Sequence, residues 1–145
     1  MITLALLSIV AGGCGVSQQT RMRPYEQKEL HCIQQYRNGD IQTAKQALLD
    51  YLRLLKDEEA SGLPFMKTAW SKALAAARLS LIYQQLGDTA LANQYLQKTI
   101  TWARQDAQEE GNKISLEKTD EQLQMLMTNS VNKLDENTSP KWRRN

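Results

Sequence analysis

Apolar side chains recur at helical spacing along the body of this chain. In residues 41–57 the apolar positions follow one another at intervals of three, four, four and three: Ile41, Ala44, Leu48, Leu52 and Leu55. This spacing places them on one face of an α-helix, because a helix makes a turn in about 3.6 residues. Each such face has to be buried against another helix. The pattern therefore predicts an all-α protein.

Polar breaks divide the chain into five predicted helices. Gly39-Asp40 and Gly87-Asp88 are the clearest breaks, since glycine ends helices and aspartate caps the next one. The run from Thr119 to Gln122 has the form of a capping box, which predicts the start of the last helix. The predicted helices are 26–37, 41–57, 65–86, 89–108 and 121–134. Residues 25–134 form one predicted helical domain, and the polar tail 135–145 is predicted to be disordered and basic.

Composition excludes several classes of protein. The chain of 145 residues has 7 Gly and 3 Pro, too few turn formers for the closely spaced strands of a sandwich or barrel. Its 18 basic and 16 acidic residues give a net charge of +2, which does not predict binding to nucleic acid. With 1 His and 2 Cys most metal sites built from those ligands are excluded. No metal or cofactor is predicted.

No group of residues in the sequence predicts catalysis. His31 is the single histidine and adjoins Cys32, but adjacent helical residues point about 100° apart and do not form a dyad. We expect His31 to be a packing residue. The carboxylate clusters 57–59 and 109–110 lie at predicted helix ends. We expect them to be solvated surface charges and not groups for acid–base catalysis. The sequence therefore predicts a protein that is not an enzyme, and no catalytic residue is nominated.

The first residues have the pattern of a leader. Residues 1–10 read MITLALLSIV, which is shorter than the ~20 apolar residues of a membrane-spanning helix but within the ~7–15 of a signal peptide. The following Ala11-Gly12-Gly13-Cys14 resembles a bacterial lipobox. That resemblance implies removal of residues 1–13, lipidation of Cys14 and a flexible tether over 14–24.

The lipobox resemblance also implies a location. Gly15 follows the cysteine, which by the sorting rules of such lipoproteins favours the outer membrane, facing the periplasm. Two alternatives remain open at this point. Residues 1–13 could form a buried helix with Cys14 as an ordinary thiol, or a Cys14–Cys32 disulfide could exclude lipidation.

Residues 76–104 resemble a tetratricopeptide repeat. That family has a large apolar residue, a small residue beside it and an aromatic three positions later, then a turn, then a small and a bulky residue four apart. The matching residues here are Leu79, Ser80, Tyr83, Gly87, Ala92 and Leu96. Residues 28–56 resemble a degenerate copy, with Cys32, Ala44 and Leu48 at packing positions. The resemblance implies about two stacked antiparallel helix pairs and a C-terminal capping helix.

Stacked helix pairs of this family present a concave groove that binds segments of other proteins. By resemblance, the groove is lined by six residues: Glu29, Ile33, Tyr36, Ala77, Leu81 and Gln84. The resemblance implies an adaptor or assembly factor that binds another envelope protein. A homo-oligomeric structural component is the alternative.

Two local alternatives also remain open. The last helix or the N-terminal segment could pack over Ile33 and Leu81 and remove the groove. The terminal run Lys141-Trp142-Arg143-Arg144 could meet an anionic membrane or an acidic partner, and the other interpretation is a solubilising tail.

Intact-mass spectrometry of the membrane fraction tests the predicted lipidation. The wild-type chain is expected to lack residues 1–13 and to carry the mass of acyl chains, whereas Cys14→Ser is expected to carry none. An unprocessed, unacylated wild-type chain would contradict the lipobox interpretation.

Overall fold

The computed structural model describes residues 24–62 and 68–144. Its α-helices are α1 (Pro24–Asn38), α2 (Ile41–Ala60), α3 (Ala69–Gln85), α4 (Thr89–Glu109), α5 (Lys113–Leu116) and α6 (Asp120–Thr138). A 3-10 helix, Lys141–Arg143, follows and is called the C-terminal turn below. No strand occurs in these ranges, and the prediction of an all-α fold is confirmed. The predicted leader, Cys14 and the tether before Pro24 lie outside the described residues.

Side-chain caps begin the helices where the sequence predicts. The Asp40 carboxylate accepts a hydrogen bond from the Thr43 N–H at 2.8 Å, and Asp88 accepts one from the Leu91 N–H at 3.0 Å. Thr119 and Gln122 bond reciprocally at the start of α6. These bonds satisfy amide groups that have no partner within the helix. The caps of Asp40 and Asp88 thus fix the turns within the packed pairs α1–α2 and α3–α4.

Two antiparallel pairs, α1 with α2 and α3 with α4, pack side by side through α2 and α3. Between α3 and α4, the Ser80 hydroxyl donates to the Ala92 carbonyl at 2.9 Å. The rings of Tyr83 and Tyr95 stack with their centroids 5.4 Å apart. Small residues at the crossing let the two helices approach closely enough for these contacts.

Most of the predicted packing residues are buried in the structure, and the others are half-buried or exposed. Six are buried: Ala44, Leu48, Leu79, Ser80, Tyr83 and Ala92. Cys32 and Leu96 are half-buried, and Gly87 lies exposed in the turn after α3. Gly87 has a φ of 79°, a left-handed conformation that glycine adopts without strain.

The last long helix, α6, runs parallel to α3. Trp70 near the start of α3 shares a small cavity with Leu123 and Leu126 near the start of α6. Further along, Arg78 of α3 bonds Asp135 of α6. Between these points α3, α4 and α6 enclose a second core, whose buried members are Ala73, Ala77, Ala103, Met127 and Val131. A C-terminal helix therefore extends the array by one layer.

The C-terminal tail differs from the prediction. Helix α6 continues to Thr138, past the predicted end at Leu134, and Trp142 in the C-terminal turn is 3% exposed. Residues 135–144 are therefore ordered against the helices and are not a disordered basic tail. Their order comes from long-range contacts of Asp135, which are described below.

Smaller differences also appear. Helix α3 begins at Ala69, after Thr68. The predicted start of this helix at 65 lies outside the described residues. The four-residue helix α5 was not predicted, and it is capped by the Asn112 side chain. His31 is exposed on α1 and is not a packing residue.

Gly39→Ala is expected to destabilise the fold more than Gly111→Ala. A Cβ at Gly39 would lie 2.5 Å from the Thr43 Cβ and 2.7 Å from the Gln35 carbonyl oxygen, so the α1–α2 turn would have to shift, at a cost of about 3 kcal/mol. At Gly111 (φ 64°) no described atom lies within 4 Å of that position, and alanine costs only the left-handed strain of about 1–2 kcal/mol. Urea unfolding measures both variants, and equal losses would contradict the tight α1–α2 contact.

Candidate binding cleft

A buried carboxylate joins α1, α3, α6 and the C-terminal turn. The Asp135 side chain has no solvent exposure, and its Oδ2 accepts the Tyr36 hydroxyl at 2.6 Å. Its Oδ1 accepts Arg78 Nε at 3.1 Å and Nη2 at 3.0 Å. Arg143 Nη2 lies 2.9 Å from Oδ2 as an ion pair. Such a set of partners is what a buried charge requires.

Aromatic contacts surround this carboxylate. The Arg78 guanidinium lies 5.0 Å from the Tyr36 ring centroid, and Trp142 meets Tyr36 edge-on at 6.0 Å. Burial raises the pKa of Tyr36 well above its usual value, so its hydroxyl keeps its proton and remains a donor to Asp135. Arg143 also donates from Nη1 to the Asn132 amide oxygen at 3.0 Å. The C-terminal turn is thereby closed onto the helices.

Beside the Asp135 cluster, a cleft of about 210 Å³ opens between α1 and the C-terminal part of α6. Residues of α2 and α3 form its floor. The lining residues are Cys32, Ile33, Tyr36, Arg37, Ala47, Leu48, Tyr51, Arg78, Leu134 and Thr138. An apolar cavity of about 150 Å³ is known to bind benzene, so this cleft has room for one large apolar side chain.

Apolar side chains also stand at the mouth of the cleft. Leu134 lines the cleft and is 43% exposed, and Ile33 opposite it on α1 is half-buried. Leu30, about one turn before Ile33 on α1, is 42% exposed. Exposed apolar groups beside a concave apolar surface are typical of a binding site.

The predicted groove residues do not all share this cleft. Ile33 and Tyr36 line it, although Tyr36 is buried. Ala77 is buried in the second core beneath α6, and Leu81 packs against both cores. Gln84 is exposed and is not among the lining residues, and Glu29 accepts a hydrogen bond from the Tyr51 hydroxyl at 2.9 Å.

The expectation of a groove along Ala77 and Leu81 is therefore wrong. At both residues the last helix packs over this strip, which is the alternative that the sequence left open. The physical reason is the parallel packing of α6 on α3, which buries small side chains of α3 against Met127 and Val131. The open surface lies instead between α6 and α1.

Sequence reasoning missed six lining residues: Arg37, Ala47, Tyr51, Arg78, Leu134 and Thr138. One signal could have extended the last helix past its predicted end at Leu134, as far as Thr138. Leu123, Met127, Val131 and Asp135 follow one another at intervals of four, so Asp135 continues the buried stripe. An aspartate in such a position indicates a buried charge whose partners come from elsewhere in the chain.

Cys32 is a free, half-buried thiol in the wall of the cleft. Burial, with a smaller effect of Asp50, raises the pKa of this thiol, so it stays protonated and is a poor nucleophile. It also borders a second cavity with His31, Asp50 and Asp57. Across 24–62 and 68–144, no group of three or more His, Cys, Asp or Glu could hold a metal ion.

Comparisons with protein-family models, with curated proteins and with solved structures found no match to this chain. Of the helices in the described ranges, none has the length and apolar content to cross a membrane.

Asp135→Asn is expected to lower the free energy of unfolding by about 3 kcal/mol, because it leaves two guanidinium groups without a buried counter-charge. The neighbouring Glu136→Gln is the control, since Glu136 is exposed and should change stability by less than about 0.5 kcal/mol. Urea unfolding measures the loss. Trypsin cleavage after Arg143, followed by mass spectrometry, should become roughly tenfold faster in Asp135→Asn only. Unchanged cleavage would show that Asp135 does not hold the C-terminal turn.

Proposed function

We propose that this protein is a non-catalytic adaptor of the bacterial envelope that binds a segment of another protein between α1 and α6. The observation that carries the proposal is the open apolar cleft with Leu134 at its mouth. A lipid on Cys14 holds the adaptor at the outer membrane, on the periplasmic side.

The cleft is suited to binding because its walls are fixed before a partner arrives. Ile33 and Leu134 stand on two different helices, and the Asp135 cluster ties those helices together through Tyr36. A preformed site loses little conformational entropy on binding. Filling the cleft also removes exposed apolar surface from water, which is favourable.

The pattern of the first 14 residues supports the membrane location. If Cys14 carries the lipid, Pro24 at the start of α1 lies ten positions after it along the chain (24 − 14 = 10). Ten residues span at most about 35 Å. The adaptor would therefore work close to the membrane surface, where its partner has to be another envelope protein.

A homo-oligomeric structural component is the second candidate, and a different surface favours it. Met125 and Leu126 on α6 are 65% and 39% exposed, and Trp70 beside Leu126 is 38% exposed. They lie on the layer that ends the array, where a further helix pair of another copy would stack. In that arrangement the cleft at the opposite end of α6 would stay free.

Site-specific photo-crosslinking in the native membrane tests the adaptor function. A photoreactive residue at position 134 is expected to crosslink a second protein, because Leu134 stands at the mouth of the cleft. Adding Ile33→Glu should reduce that crosslink roughly tenfold or more, as for a buried anchor contact. The matched control places the photoreactive residue at Leu86, which is 37% exposed just after α3 and does not line the cleft.

The outcomes separate the two candidates. A crosslink at 134 that Ile33→Glu removes, with none at 86, supports the adaptor. Equal crosslinking at both positions would contradict it. Crosslinks that join only copies of this chain would favour the homo-oligomer.

A further inference from the structure

We infer that the occupant of the cleft is an acidic protein segment, which inserts one large apolar side chain between Ile33 and Leu134 and places a carboxylate beside Arg37. This inference rests on the proposed adaptor function and adds the chemistry of the partner. It follows from the size of the cleft and from the charges around it.

The volume of the cleft limits the apolar side chain by which a partner can be anchored there. About 210 Å³ exceeds the roughly 150 Å³ that holds benzene in an engineered apolar cavity. The walls offer Ile33, Ala47, Leu48 and Leu134 to that anchor. One leucine, methionine or phenylalanine side chain therefore fits, and a second one does not.

The charges that line the cleft are of one sign. Among its lining residues only Arg37 and Arg78 are charged. Arg78 and Arg143 share the single carboxylate of Asp135, so this cluster of two cations and one anion keeps one positive charge. Arg37 is exposed and adds a second positive charge at the same end of the cleft.

Two acidic side chains near the cleft, Asp135 and Glu29, are already engaged by groups of this chain. Asp135 is fully buried and already pairs with two arginines. Glu29, eight residues before Arg37 on α1 (37 − 29 = 8), accepts the Tyr51 hydroxyl and lies toward the other end of that helix. The electrostatic attraction of a partner's carboxylate is therefore strongest beside Arg37, and a basic partner would be repelled there.

Selection of short random peptides against the immobilised full chain in detergent tests this chemistry. The selected peptides are expected to be acidic and to contain one large apolar residue. They should bind Arg37→Gln about threefold more weakly and Arg37→Glu about tenfold more weakly, because a partly exposed ion pair is lost or reversed. Added salt should weaken binding to the wild type more than binding to Arg37→Gln, which keeps only the positive charge of the Asp135 cluster.

Two controls test whether the acidic residue of the peptide contacts Arg37. Arg53→Glu makes the same charge change on α2, at a residue outside the cleft that is 71% exposed, and should leave binding unchanged. A selected peptide whose acidic residue is changed to its amide should lose no further affinity for Arg37→Gln, as expected for two groups that contact each other.

The outcomes distinguish this inference from the proposed function. Neutral or basic peptides that Leu134→Glu displaces would overturn the acidic partner and leave the adaptor cleft in place. Peptides that bind equally to wild type, Leu134→Glu and Arg37→Glu would overturn both, because they bind elsewhere. A selection that enriches no peptide over bare support would also overturn both.

Discussion

The closed form of this helical array depends on the carboxylate of Asp135. Its side chain is fully buried, and an uncompensated buried charge costs several kcal/mol. The hydroxyl of Tyr36 and the guanidinium groups of Arg78 and Arg143 therefore have to be in place together. These partners come from α1, α3 and the C-terminal turn, so one charge sets the position of the end of α6 relative to three other elements.

Alanine-rich packing on α3 determines where the open surface of the protein lies. Buried alanines on several sides of α3 let α2, α4 and α6 approach it closely. Because α6 then runs along α3, it covers the strip of Ala77 and Leu81. The C-terminal part of α6 contacts α1 through the hydrogen bond from Tyr36 to Asp135, and the cleft lies between the two helices beside that contact. The same packing that removes one predicted groove thus creates another surface.

The parts of the fold that the sequence predicts are those with local signals. The caps at Asp40, Asp88 and Thr119 act within one helical turn, and the apolar spacing on α2 requires no knowledge of its neighbours. In the tail only the position of Asp135 on the buried stripe is a local signal. Its partners Tyr36 and Arg78 lie 99 and 57 residues earlier, so no local pattern could indicate them. For the same reason, Ile33 could be placed on a candidate surface from its own helix. Arg78 and Leu134 lie beside that surface only because α6 packs there.

Shared side chains connect the cleft to the stability of the tail. Tyr36 and Arg78 bond Asp135, and both also line the cleft. A segment that binds there contacts the side chains that hold α6 and the C-terminal turn in place. If it binds only when those side chains are arranged around Asp135, it stabilises the closed tail by mass action. The buried charge is then more than a fixed structural contact. It couples binding in the cleft to the ordering of the C-terminus, because both depend on the same arrangement of side chains.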